Sequence, residues 1–332
     1  MKTRVLITGG AGFIGAHFVE HFLKNTDWDI VILDKLNYAS NGFDRLRDIN
    51  VFDREKERVS ILSADFTMPI KDGLAKEIGE VDYIFHLGAE THVDNSISNP
   101  EPFVTSNVLG TMRMLNFART LPNLKCFYQF STDEVFGAAP GNTCYSEEDR
   151  HAPTNPYAAT KSGAEMLVKA YRNTYKVPAI ITRCMNVFGE RQHPEKFIPL
   201  VIKRVLAGEE ILIHSNAGKT KAGTRFYIHA RNVAAAYLYL VKNGVVGEDY
   251  HITGEKEVDN LEMAQFIAKT LDKPLVYKMT DFHSSRPGHD LRYCLKMDKL
   301  SELGWKLPLT FNESLKNTIL WTVDRKDKWL NT

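Results

Sequence analysis

The chain carries almost no excess of charge: 42 Lys and Arg stand against 41 Asp and Glu, a formal +1. That balance removes any overall pull toward nucleic acid or an anionic membrane and leaves only local basic sites for a phosphate. Long apolar runs are also missing, and no stretch approaches the roughly 18 residues of a membrane span. The opening Met1-Lys-Thr-Arg-Val-Leu-Ile-Thr has a short apolar run that ends in glycines, so a secretory leader is not expected. Cysteine is scarce, and Cys126, Cys144, Cys184 and Cys294 stand singly. Without a Cys-x-x-Cys pair, neither a zinc knuckle nor a disulfide scaffold is expected. Reduced thiols in a soluble cytoplasmic protein are. No internal repeat or low-complexity tract is visible.

What is present is ordinary globular material: 332 residues, 43% hydrophobic and 25% charged. The first half alternates short apolar runs with helical patterns. Arg4 to Thr8, Asp29 to Leu33, Val59 to Ala64, Val81 to Leu87, Lys125 to Phe130 and Ala179 to Thr182 read as strands. Phe13 to Lys24, Glu101 to Leu121 and Pro156 to Tyr175 read as helices. The strands are rich in Val, Ile, Leu and Phe with little alternation, so both faces are buried, as in a parallel sheet flanked by helices. The expected fold is α/β, a Rossmann-type doubly wound parallel sheet over residues 1–185. After about residue 186, Pro, Gly and His become frequent, and residues 186–332 read as a smaller substrate-binding lobe with some chain crossing back to the sheet.

Gly9-Gly10-Ala11-Gly12-Phe13-Ile14-Gly15 follows a strand and opens a helix. Glycines at 9, 12 and 15 allow a sharp turn, close approach of backbone to a pyrophosphate, and tight packing of helix on strand. The helix N-terminus then offers free N–H groups to the phosphates. Asp34 ends the second strand, 19 residues beyond Gly15. A carboxylate there accepts from ribose hydroxyls and repels a 2′-phosphate, which favours NAD over NADP. The adjacent Lys35 weakens that preference slightly. Asp65, after the third strand, is either an acceptor for the adenine amino group or a plain helix cap.

Tyr157 and Lys161 are four residues apart, so on a helix they share a face. The ammonium favours the phenolate, which makes a base near neutral pH, and it can also hold the nicotinamide ribose. The preceding strand ends in Ser131-Thr132, whose hydroxyl can bond the substrate oxygen that loses its proton. Asp133 and Glu134 follow. In an extended strand they would face opposite ways, so both serve one substrate only if the strand breaks there. An acid beside a base suits elimination of water, while a solvated acidic loop is the plain alternative. His17 and His21 have a metal-ligand spacing, but no third ligand lies near in sequence. They read as packing residues, and no metal is expected.

Thr132-Asp133-Glu134-Val135, Tyr157-x-x-x-Lys161, the Pro194-Glu195-Lys196-Phe197-Ile198-Pro199 run and Arg286-Pro287-Gly288-His289-Asp290 together resemble the dTDP-glucose 4,6-dehydratases. These are extended short-chain dehydrogenases/reductases. The resemblance runs from the glycine turn to Leu303-Gly304-Trp305. It implies a hydro-lyase that holds NAD tightly and converts dTDP-glucose, or a close relative, to the 4-keto-6-deoxy sugar plus water. In that scheme Tyr157 deprotonates the 4-hydroxyl, Glu134 takes the C5 proton and Asp133 protonates the departing C6 hydroxyl.

The resemblance further implies that Phe13, Ile14, the Asp34 to Asn41 loop with Lys35, Leu36 and Asn37, Asp65, Phe66, Leu87, Ala89, Thr91, Ser106 and Val187 line the NAD site. Thr91, Thr132, Asn186, Lys196, Phe197, Ile213, His214, Arg225, Asn260, Arg286, His289 and Asp290 would hold the nucleotide sugar, with Lys196, Arg225 and Arg286 neutralising its diphosphate. A homodimer is implied, formed through the helices near 101–121 and 156–175. Thr91 stands where the family usually has Ser, Phe136 where it has Tyr, and Val187 where it has a second Asn. Residues 214–225 form a longer, basic segment near the expected nucleotide. UDP-glucose is therefore an alternative substrate. A nucleotide-sugar 4-epimerase or decarboxylase of the same fold is a further alternative, against which Asp133-Glu134 argues.

Overall fold

A computed structural model describes residues 2–281 and 290–331. The apolar runs become strands where the sequence predicts them: β1 Arg4–Thr8, β2 Asp29–Asp34, β3 Val59–Ser63, β4 Tyr83–His86, β5 Cys126–Thr132 and β6 Ala179–Cys184. The chain continues through β7 Asn186–Phe188, β8 Ile211–Ser215, β9 Thr224–His229, β10 Asp249–Ile252, β11 Glu257–Asp259 and β12 Tyr277–Asp281. The main sheet runs β10-β6-β5-β4-β1-β2-β3, and every pairing within it is parallel. This is the doubly wound order, with its reversal between β1 and β4, where ligands bind outside the carboxyl ends of the strands. The seventh strand, β10, comes from late in the chain and pairs with β6.

Helices cover both faces. On one side α1 (Phe13–Asn25) packs Phe18, Val19 and Phe22 against Ile30, Ile32, Phe85 and Tyr128, together with Tyr237 and Leu240 of helix Ala230–Asn243. On the other, Met114, Leu115 and Val168 pack on Leu6, Val31, Ile84, Phe127 and Ile181. A separate cluster gathers Ile202, Ile211, Ile213, Ala264, Ile267, Leu315 and Ile319 beneath two small sheets, β11-β9-β7 and β12-β8.

One expectation is overturned. Cys144 and Cys294 form a disulfide across 150 residues of sequence. The cause is long-range pairing. Tyr145 bridges Leu295, Tyr145 N donates to Cys294 O, and Lys296 N donates to Tyr145 O, which brings the two sulfurs together. Cys126 and Cys184 remain buried free thiols. Among the described residues no helix is long and apolar enough to cross a membrane.

Candidate active site

Two adjoining clefts open at the carboxyl ends of the strands. Phe13, Ile14, Leu87, Ala89, Thr91, Gln192 and Lys196 line both.

The first cleft is built on the glycine turn. Gly9 takes a positive φ of 70°, and a Cβ on Gly15 would lie 2.1 Å from Gly9 O. Only glycine at 15 lets α1 start so close to β1. Gly9, Gly12, Phe13, Ile14, Gly15, Asp34, Lys35, Asn37, Phe66 and Ser106 join the wall. The Asp34 carboxylate accepts from Ala11 N at 3.0 Å and Leu36 N at 2.8 Å. Burial raises its pKa while these bonds oppose the rise. Each carboxylate oxygen keeps acceptor capacity for a ribose hydroxyl. Lys35 is engaged by Glu90 at 3.0 Å. The Ser106 hydroxyl is buried on this wall with no hydrogen-bond partner among the described residues. A glycine cradle, an acid at the end of β2 and an orphaned hydroxyl together fit a dinucleotide.

Leu36 is absent from both walls and packs its side chain against the core. Asp65 caps a local turn through Thr67 N at 2.9 Å and lines a neighbouring shallow cavity with Lys35 and Ser106. Val187 lies on the second cleft, not the first.

The second cleft contains the chemistry. Thr132, Asp133, Glu134, Tyr157, Lys161, Asn186, Lys196 and Phe197 all line it. β5 stops at Thr132, and Asp133–Phe136 turns into a short 3-10 helix capped by the Thr132 hydroxyl, which accepts from Glu134 N. That break brings two successive carboxyls to one cavity. Asp133 is 5% exposed, and burial, reinforced by the Glu134 charge, pushes its pKa up to about 7. Its Oδ1 accepts from Thr132 Oγ1 at 3.0 Å, and its Oδ2 has no partner among the described residues. Glu134 is also raised by burial, against a 3.0 Å bond from Asn155 Nδ2. Asn155 is the N-cap of helix Pro156–Tyr175. One side chain thus starts the helix that carries Tyr157 and orients Glu134.

Burial raises the Tyr157 phenol well above its ordinary range, with Glu134 adding to the rise. Lys161 is buried and held down to about 8, with Glu165 opposing the fall. Its Nζ donates to Phe130 O at 2.6 Å.

The remaining expected ligands divide. The Arg225 guanidinium donates to the carbonyls of Thr224, Asp290 and Leu291 and lies 4.6 Å over the Tyr293 ring, off the cleft wall. Its charge nevertheless lowers Asp133 and Glu134. Asp290 accepts from Thr154 at 2.8 Å, and Asn260 accepts from the Tyr227 hydroxyl at 2.7 Å. Ile213 is wholly buried in the second core cluster, and His214, the next residue of β8, is also off both walls. Arg286 and His289 lie outside the described residues. The sequence reading missed Met185, Tyr227, Gln192, Glu195 and Arg45 as wall residues. Only Glu195 carried a signal, inside the Pro194 to Pro199 run.

His17 is buried against Phe13 O and Glu190, while His21 sits against Asn25. No metal-binding cluster occurs among the described residues.

The family described as GDP-mannose 4,6 dehydratase matches residues 6–318. The chain is 36% identical over 352 residues to dTDP-glucose 4,6-dehydratase of Salmonella typhimurium, covering 99% of this chain and 94% of that one. It is 37% identical over 321 residues to the low-salt glycan biosynthesis protein Agl12 of Haloferax volcanii, covering 94% and 96%. The crystal structure of DesIV, a dTDP-glucose 4,6-dehydratase from Streptomyces venezuelae with NAD and dTDP bound, superposes with a TM-score of 0.88 at 33% identity, covering 98% and 99%.

Proposed function

The chain belongs to the GDP-mannose 4,6 dehydratase family of extended short-chain dehydrogenases/reductases, and from that premise we propose that it dehydrates a nucleoside-diphosphate hexose across carbons 4 to 6, with dTDP-glucose as first substrate. The observation that carries this reading is the Asp133–Glu134 pair on one cavity wall with Tyr157 and Lys161. An enzyme that only inverts C4 has no use for an acid beside a base.

The residues divide the work as follows. Tyr157 removes the proton of the 4-hydroxyl, with the Thr132 hydroxyl bonding the same oxygen and the Lys161 ammonium favouring the phenolate. Gly9, Gly12, Gly15 and Asp34 would hold NAD, which would supply the hydride-transfer chemistry at C4 and C6. Glu134, held by Asn155, takes the C5 proton and gives a proton back to C5 when C6 is reduced. Asp133, whose carboxyl stays protonated up to about neutral pH, donates to the departing C6 hydroxyl. Lys196, on the wall shared by both clefts, lies where it can meet the diphosphate. Residues from 186 onward supply the nucleotide-sugar lobe. A homodimer belongs to the same reading, through the helices that expose Val104 and Met166. Sedimentation showing only monomer at micromolar concentration would count against it.

The test is a panel of dTDP-, UDP-, GDP- and CDP-glucose, with the keto sugar detected by its alkaline absorbance. Turnover of dTDP-glucose above the others supports the reading. UDP-glucose as the best substrate would correct the base, and a C4 epimer as sole product would reject dehydration.

A further inference from the structure

Below the site lies a buried ionic node that the reaction scheme leaves unused. Positions 157, 161 and 165 share one face of helix Pro156–Tyr175. Glu165 is wholly buried, one turn beyond Lys161. Its Oε1 accepts from Ser131 Oγ at 2.5 Å, and its Oε2 accepts from Arg183 Nη2 at 2.6 Å and Nε at 3.0 Å. Ser131 immediately precedes Thr132 on β5. Arg183 lies on β6, just before Cys184, Met185 and Asn186 of the cavity wall. Lys161 Nζ grips Phe130 O. The helix therefore holds two successive residues of β5, directly ahead of Thr132-Asp133-Glu134.

Other charged groups face this node. His151 Nε2 is 3.5 Å from Glu165 Oε2, and its Nδ1 meets Ser162 Oγ at 2.8 Å. Arg183 also meets Asp249 at 3.0 Å, Glu147 O at 3.3 Å and His251 at 3.4 Å. Lys169 and Arg172 complete the set on Asp249. Around Lys161 the titratable neighbours are Glu165 and Tyr157 on its own helix and His86 from β4.

A buried ion pair is a poor device for stability, because well-packed apolar residues do as well or better. Its value here is geometric and electrostatic. We propose that Glu165 is a positioning residue of the reaction: through Ser131 and Arg183 it fixes the helix of Tyr157 and Lys161 in register against β5, and its negative charge keeps Lys161 an ammonium. This rests on the reading of Tyr157 as base and Lys161 as its cationic partner. The direction of the Lys161 perturbation agrees, since Glu165 opposes the effect of burial.

The experiment uses the full chain loaded with NAD. Glu165→Gln keeps shape and removes charge. Its kcat should fall roughly 10- to 100-fold, as expected for a small misplacement of reacting groups, with KM within about twofold. The alkaline limb of kcat/KM should move down by about one pH unit as Lys161 loses its proton earlier. Ser131→Ala breaks the grip on β5 but keeps the charge, so kcat should fall while the limb stays in place. A second reading needs no sugar: the Lys161 Nζ resonance of isotope-labelled protein, assigned by its absence in Lys161→Met, is followed by NMR as pH rises. In Glu165→Gln the Lys161 ammonium should lose its proton about one pH unit earlier than in the wild type. If Glu165→Gln does not fold, the double variant Glu165→Met, Arg183→Met removes both charges and should show the same Lys161 displacement. A normal rate, limb and Lys161 titration with only a lower melting temperature would overturn the proposal and leave a structural ion pair. If no nucleotide hexose is turned over by the wild type, the functional reading fails, while the Lys161 titration still decides the role of Glu165.

Discussion

Replacing Asp133 by asparagine isolates the acid of the proposed elimination. The side chain is nearly inaccessible, and burial with the neighbouring Glu134 charge lifts its pKa from 3.8 to about 7. That displacement corresponds to roughly 4 kcal/mol favouring the neutral form, on the order of 1.4 kcal/mol per pH unit. The neutral carboxyl thus persists where an exposed aspartate is ionised, and the partnerless Oδ2 is the natural seat of its proton. Asparagine preserves shape and neutrality but has no proton to give. Substrate binding should survive, with KM changed by no more than about twofold, while kcat falls by about 10²- to 10⁴-fold, the usual contribution of a positioned acid. The pH profile sharpens the test. In the wild type kcat/KM should fall as pH rises through about 7, where Asp133 ionises, and again through about 8, where Lys161 loses its proton. The residual rate of Asp133→Asn should lack the first fall and keep the second. A stopped assay of the keto sugar across about pH 5 to about 9 reads both limbs. A variant that kept more than about a tenth of the wild-type kcat would refute the acid role.

Three further outcomes follow from the geometry. Gly15→Ala forces a methyl to 2.1 Å from Gly9 O, so NAD affinity measured by calorimetry should fall at least about tenfold, and unchanged affinity would contradict the cradle. Asp34, facing the same cleft, should make NAD bind at least about 100-fold better than NADP, and equal titration curves would reject that. Cys294→Ser opens a loop of 150 residues and should cost about 2–5 kcal/mol in denaturant unfolding, where no change would mean that the bridge does not form.

How far the sequence speaks depends on whether a signal is local. β1, β2, β4, β5 and β6 were legible because each is a short run buried on both faces, and the half-exposed edge strand β3 because Val59, Ile61 and Leu62 still make an apolar run. The glycine turn, Asp34 and the Tyr157–Lys161 spacing were legible because their chemistry is set within a few residues. β10 was not read as a strand, because Asp249-Tyr-His-Ile is short and carries two polar groups that only become sensible beside Arg183 of β6. The disulfide was hidden for a similar reason: its partners meet only through the pairing of Tyr145 with Leu295. Leu36 and Ile213 were placed among the ligand residues by the family resemblance, yet both pack their side chains into the core. Asp133 and Glu134 were ambiguous until the strand was seen to end at Thr132. Asn155 escaped notice because a helix cap gives no hint of the carboxylate on its far side.

The proposed dehydration turns on one hydrogen leaving C4 and returning at C6 of the same sugar. Hexose nucleotide carrying deuterium only at C4 should give a 4-keto-6-deoxy product with that deuterium in its C6 methyl group, read by mass spectrometry and NMR. A product whose C6 methyl group carries no deuterium, or an epimer that keeps the label at C4, would contradict it.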